Sequence, residues 1–180
     1  MNTAKTVGLF AFTFLLLCAP AALLAKRSLP RLKVRDLSGQ TESLSPYRGK
    51  IIVLNFWATW CEPCQQEMPM LVQEEAKYRD RGVVVIGISL DKPGDENRIR
   101  AFLSKYHVTF PVWAGGTADD LDRWKLGPAV PATAFIGPDG KIAGRIMGEM
   151  RKPLLEHRLE WMLGHHEGEA PAPVENNLNK

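Results

Sequence analysis

The sequence predicts an α/β fold, a central mixed sheet flanked by helices with an added β-hairpin at its N-terminal edge. Three observations predict it. Ile51–Trp57 (IIVLNFW) and Val83–Leu90 (VVVIGISL) are almost wholly apolar, as strands covered on both faces must be. Helical patterns separate such runs, the alternation that crossover connections produce. Turn residues at Ser38-Gly39 and Gly137–Gly140 (GPDG) punctuate shorter β-branched stretches, a hairpin signal.

Taken in chain order, Leu32–Leu37 and Gln40–Leu44 form the predicted edge hairpin. Ile51–Trp57 and Val83–Leu90 are the central strands. Between them, Glu62–Asp80 is rich in helix formers, and Pro69 removes one helical hydrogen bond, so a kink is expected near Met68. Beyond Asp95, Ile99, Phe102, Leu103 and Tyr106 recur at i, i+3, i+4 and i+7, which puts one apolar stripe on an amphipathic helix. Thr109–Trp113 and Thr133–Ile136 read as strands, the latter joined through the GPDG turn to Lys141–Met147 as a hairpin. A closing helix carries Leu154, Leu155, Arg158, Leu159 and Met162. There is no internal repeat.

The 180 residues are 45% apolar, enough for one ordinary core with accessories. Twenty-three Lys+Arg against 20 Asp+Glu leave a net charge of +3 without a basic run, which excludes the electrostatic footprint of a nucleic-acid binder. Val7–Ala25 carries no charge and lies between Lys5 and Lys26-Arg27. As a helix it would cover roughly 28 Å, close to the hydrocarbon thickness of a bilayer. Residues 1–25 therefore read as a signal anchor, with a cleaved signal peptide as the alternative because Ala19, Ala21 and Ala25 offer small-residue cutting sites. The basic residues that follow (Lys26, Arg27, Arg31, Lys33, Arg35) run against export of that side. Cys18 follows the large Leu17 and reads as a buried apolar cysteine, not an acylation site. Residues 26–163 are the folded domain. Residues 164–180, GHHEGEAPAPVENNLNK, are almost free of large apolar groups and are expected to be a disordered tail.

The chemistry is concentrated in Phe56–Cys64, FWATWCEPC, where a buried strand ends, turns and starts a helix. A thiolate on Cys61 there would face free backbone N–H groups and the positive end of the helix dipole, which lowers its pKa and makes it the attacking sulfur. Cys64 lies nearly one turn on, on the same face, placed to resolve a mixed disulfide and expected to be the less exposed of the two. Pro63 fits the first turn without cost. A plain structural disulfide would close too small a loop to stabilise much. A zinc site lacks ligands, since the folded domain offers only the scattered His107 and His157 and the adjacent His165 and His166 lie in the tail with nothing to hold them, and no metal is expected.

The motifs W-C-E-P-C (Trp60–Cys64), Pro69 five residues after Cys64, and V-P-A-T (Val130–Thr133) resemble the thioredoxin superfamily, and within it the membrane-tethered TlpA/ResA/CcmG-type thiol-disulfide oxidoreductases. The resemblance spans about Leu29–Leu163. It implies a thioredoxin-like fold, a cis Pro131 packed against the cysteines, and a peptide group at Val130 that pairs with the substrate backbone. It also implies that Glu67, one turn beyond Cys64, acts beside the thiols: its charge would raise their pKa values and its carboxylate could take the proton that Cys64 must lose. Asn55 stands where familiar thioredoxins carry a buried Asp and cannot exchange a proton itself. Trp57 and Trp60 should flank the sulfurs, and Glu62 should face the partner and tune specificity.

The function so implied is a reductase of disulfides in exported proteins, apocytochrome c among them, acting on the extracytoplasmic side of a bacterial inner membrane. Its partners would be that disulfide-bearing protein and a membrane electron donor of the thiol-transferring type. No cofactor beyond the Cys61–Cys64 pair is expected. Two alternatives remain open. One is a thioredoxin-like copper chaperone, although those space their cysteines one residue further apart and set a histidine beside the proline. The other is a peroxiredoxin, although Ala58 stands where that branch carries a threonine.

Overall fold

The computed structural model describes residues 29–178; the leader expected at 1–25 lies outside them. Eight strands form one mixed sheet: β1 (Val34–Arg35), β2 (Thr41–Glu42), β3 (Ile51–Trp57), β4 (Val83–Ser89), β5 (Val112–Ala114), β6 (Ala132–Ile136), β7 (Ile142–Met147) and β8 (Val174–Asn176). Four helices accompany them: α1 (Glu62–Tyr78), α2 (Glu96–Lys105), α3 (Ala118–Trp124) and α4 (Lys152–Met162). The strand order is β2-β1-β5-β4-β3-β6-β7-β8. β4 is parallel to both β3 and β5, whereas β6 runs antiparallel to β3 and β7 antiparallel to β6.

The centre of the sheet is apolar on both faces because helices cover both. Along β3 the side chains alternate with the strand period of two. Ile51, Val53 and Trp57 join the cluster that includes Met68 and Leu71 of α1, Phe102 of α2 and Leu155 of α4. Ile52, Leu54 and Phe56 join the opposite cluster with Leu121 and Trp124 of α3. Asn55 falls on the α1 face by the same alternation, and there it is fully buried.

The predicted edge hairpin is present in shorter form, with Asp36 accepting from the Ser38 and Gln40 N–H groups across its turn. The third central strand lies at Val112–Ala114 and not at Thr109–Trp113, because Phe110 turns into the core ahead of it. α1 runs as one helix through Pro69, which is exposed. α3 has no counterpart in the sequence analysis. Its signal was there, since Thr117 and Asp120 form a reciprocal capping box at its start.

The tail is the main correction. Val174–Asn176 is not disordered but pairs in parallel with β7 as an eighth strand. Composition pointed to disorder because the segment buries little apolar surface. What holds it is polar: Arg158 Nη2 donates to the Ala172 carbonyl at 2.7 Å, and the Arg145 N–H donates to the Pro173 carbonyl at 3.0 Å.

Candidate active site

The C-terminal end of β3 delivers the reactive pair. After Trp57 the chain turns through buried Ala58 and Thr59, exposes Trp60 and enters α1 at Cys61. Cys61 is the N-cap residue, extended at φ −88° and ψ 108°, with its Sγ accepting from the Cys64 N–H at 3.3 Å. A sulfur at an N-cap does what a serine or aspartate oxygen does there, but as a thiolate it also meets the positive pole of the helix. Cys61 and Cys64 are joined as a disulfide with Cα atoms 5.3 Å apart. Cys61 retains 5% exposure and Cys64 none, the asymmetry expected of an attacking and a resolving sulfur.

The other predicted residues gather at the same end. Phe56 of β3 faces Ala132 of β6, so Pro131, one residue earlier, lies level with the exit from β3. The Val130–Pro131 peptide bond is cis and Pro131 is buried. Val130 is half-buried against the core cluster that contains both cysteines. Trp60 is 63% exposed, the most exposed large apolar side chain among the described residues. Glu62 and Pro63 are exposed beside it. Trp57 is instead a core residue, fully buried with its ring 4.5 Å from that of Phe102.

Glu67 is not a solvated helix position. It is 2% exposed, and its carboxylate accepts from Asn55 Nδ2 at 2.8 Å and from the Met150 N–H at 2.8 Å. Asn55 Nδ2 donates also to Thr133 Oγ1 at 3.1 Å, which links β3, β6 and, through Glu67, α1. Burial raises the Glu67 pKa to about 7, against the opposing pull of the Met150 and Asn55 hydrogen bonds, with Glu149 adding to the rise. A carboxyl poised there exchanges protons at neutral pH.

Sequence reasoning missed the frame around the turn. Asp91, 4% exposed, accepts from the Thr59 N–H at 3.0 Å, from the Thr59 hydroxyl and from Ser89 Oγ at 2.7 Å. The Thr59 carbonyl accepts from Gln65 Nε2 at 3.0 Å, and Gln65 Oε1 in turn accepts from the Tyr106 hydroxyl at 3.3 Å. Thr59 is thus held on one side by the end of β4 and on the other by α1 and α2. Nothing in the spacing of Thr59 and Asp91 signals this, because the two meet only when β3 and β4 pair.

Among the described residues no three His, Cys, Asp or Glu side chains stand close enough to hold a metal ion. Nor is any helix among them long and apolar enough to cross a membrane.

The geometry agrees with what the chain is similar to. Residues 25–145 match the model of the AhpC/TSA family. A thiol-disulfide oxidoreductase ResA from Oceanobacillus iheyensis is 39% identical over 121 residues, 67% of this chain and 62% of that protein. Another ResA, from Bacillus cereus, is 35% identical over 131 residues, 73% of this chain and 74% of its own length. The chain belongs to the AhpC/TSA family, among its ResA-like thiol-disulfide oxidoreductases. Solved structures say the same of the fold. A DsbE-type thiol:disulfide interchange protein from Chlorobium tepidum superposes with a TM-score of 0.67 at 28% identity, over 76% of this chain and 96% of that one. A secreted Mycobacterium tuberculosis disulfide oxidoreductase, homologous to DsbE, gives 0.58 at 26% identity over 73% and 93%. As a ResA-like protein the chain is a thiol-disulfide oxidoreductase, and Cys61 and Cys64 are its disulfide-bonded C-x-x-C pair.

Proposed function

We propose that this ResA-like protein is an extracytoplasmic dithiol reductase that opens disulfides in exported proteins, apocytochrome c foremost. Its N-terminal segment would hold it at the membrane, where a thiol-transferring donor returns electrons to the pair. The disulfide itself is the redox group, with no further cofactor.

In the reduced protein the Cys61 thiolate attacks one sulfur of the substrate disulfide, forming a mixed disulfide and releasing the other sulfur as a thiolate. Cys64 gives its proton to the Glu67 carboxylate, and the resulting thiolate attacks the Cys61 sulfur. The Cys61–Cys64 bond forms, the mixed disulfide breaks, and the second substrate sulfur leaves reduced. Trp60, Glu62 and Pro63 form the exposed rim the substrate meets, and Val130 offers its backbone beside cis Pro131.

One observation carries the direction of electron flow: the buried Glu67 carboxyl three residues after Cys64. A strongly oxidising pair owes its potential to a stabilised thiolate, and a carboxylate beside the thiols does the opposite. Ala58, in the position where a peroxidase reading calls for threonine, supports exchange over peroxide turnover. The cysteine spacing and the lack of a histidine beside Pro131 speak against copper carriage. The test is the reduction potential of the pair in the full chain at pH 7, by redox equilibration in mild detergent followed through tryptophan fluorescence. A value near roughly −250 mV or below is expected of a reductant, and one near roughly −120 mV would reverse the assignment.

A further inference from the structure

The C-terminal strand reaches the turn that holds Glu67. Beyond the pairing of Asn176 with Met147, the Asn177 N–H donates to the Met147 carbonyl at 2.7 Å and Asn177 Nδ2 donates to the Glu149 carbonyl at 3.1 Å. Gly148 between them lies at φ +89°, and a Cβ there would come within 2.7 Å of the Asn177 backbone and 2.8 Å of that of Leu178. The two backbones are therefore in direct contact, which only glycine permits. From the other side of the same turn, the Met150 N–H donates to Glu67. Residues 148–150 are thus clamped between the C-terminal segment and the buried carboxylate.

We infer that the C-terminal segment is a positioning element of the redox site: by holding the Gly148–Met150 turn it keeps the Met150 N–H on Glu67 and sets the pH at which Glu67 accepts the Cys64 proton. The inference rests on the proposed role of Glu67 as that acceptor. An N–H aimed at a carboxylate favours its charged form. Loosening the turn therefore raises the pH that Glu67 needs in order to act as a base. The groups facing Glu67 make this readable. Cys64 precedes it by a turn on α1 and Glu149 lies on the clamped turn, whereas β3 offers the neutral Asn55, itself bonded to Thr133 of β6.

The test compares the full chain, a chain ending at Glu169, Glu67→Gln, and the two changes combined. The reduced proteins react with dithiobis(nitrobenzoate), which releases one thionitrobenzoate when Cys61 attacks and a second when Cys64 resolves. The pH midpoint of the second release is followed from pH 5 to 9. We expect the shortened chain to shift it upward by about 0.5 unit or more, and Glu67→Gln to abolish that shift. An unchanged midpoint in the shortened chain, beside an altered one in Glu67→Gln, would overturn the inference while leaving the Glu67 reading intact. A shift that persists in the combined variant would overturn it too, since the tail would then act by another route. If Glu67→Gln alone changes nothing, both fall. Should the shortened chain fail to fold, Asn177→Ala decides by the same criteria, with a smaller shift expected.

Discussion

Cys61 and Cys64 share a helical turn yet have different surroundings, and their substitutions should differ accordingly. Cys61→Ser removes the sulfur that solvent and substrate can reach, so all exchange should be lost in a disulfide reductase assay. Cys64→Ser leaves the attacker and removes the resolver, so mixed disulfides with partner proteins should accumulate and be visible on non-reducing gels. Turnover by both variants would refute the mechanism. Serine in each case is close to the thiol in size, but its hydroxyl is not ionised at neutral pH and cannot form a disulfide. At Glu67 the prediction has a definite sign. A carboxylate beside the thiols raises their pKa values, so Glu67→Gln should move the alkylation-versus-pH curve of the reduced protein to lower pH, and an unmoved curve would return Glu67 to a purely structural role.

Asp91 acts between elements, tying the end of β4 to the loop that carries Trp60. Hydrogen bonds to a charged acceptor contribute about 1.5–3 kcal/mol when one partner is lost from a buried site. Asp91→Asn, which turns one of the two acceptor oxygens into a donor where the Thr59 hydroxyl or the Thr59 N–H and Ser89 hydroxyl now donate, should lower stability by about 2 kcal/mol in urea unfolding with an unchanged m-value. It should also raise the mobility of Trp60, read as a fall in tryptophan fluorescence anisotropy that disappears when Trp60→Phe is made alongside; unchanged anisotropy would show that the brace does not reach the exposed ring. At the opposite edge of the sheet β8 predicts its own exchange pattern. The Asn177 and Arg145 amides, bonded to the Met147 and Pro173 carbonyls, should be protected in hydrogen exchange, and rapid exchange at both would mean that the strand is detached in solution.

For the molecule as a whole, Glu67 links folding to pH. Its folded pKa is raised from 4.5 to about 7, so the native state holds a proton that the unfolded chain releases first. Stability is therefore greatest below the unfolded pKa and falls as pH rises through about 7. A pKa rise of that size corresponds to about 3 kcal/mol. Unfolding of the oxidised protein in urea should be easier at pH 8 than at pH 5, and Glu67→Gln should flatten that slope; an equal slope in the variant would assign the dependence to other groups.

The sequence alone determined the edge hairpin, the strands β3, β4, β6 and β7, the helices α1, α2 and α4, and the identity of the sulfur pair, because each is written in local pattern. Apolar runs of strand length, a 3.6-residue stripe and a C-x-x-C motif at a strand-to-helix junction are read without knowing what lies across the fold. Glu67 showed the limit of this reading: its spacing from Cys64 was legible, but not its burial, nor its donors Asn55 and Met150. Those partners are 12 and 83 residues away in the chain and meet only when β3, α1 and the β7–α4 turn pack together. The same holds for Asp91 on Thr59, and for the tail, whose polar composition suggested disorder while Arg158 and the free edge of β7 supplied the hydrogen bonds that order it. Local propensity and periodicity specify elements, whereas burial and hydrogen-bond partners across long sequence separations exist only once the elements have packed.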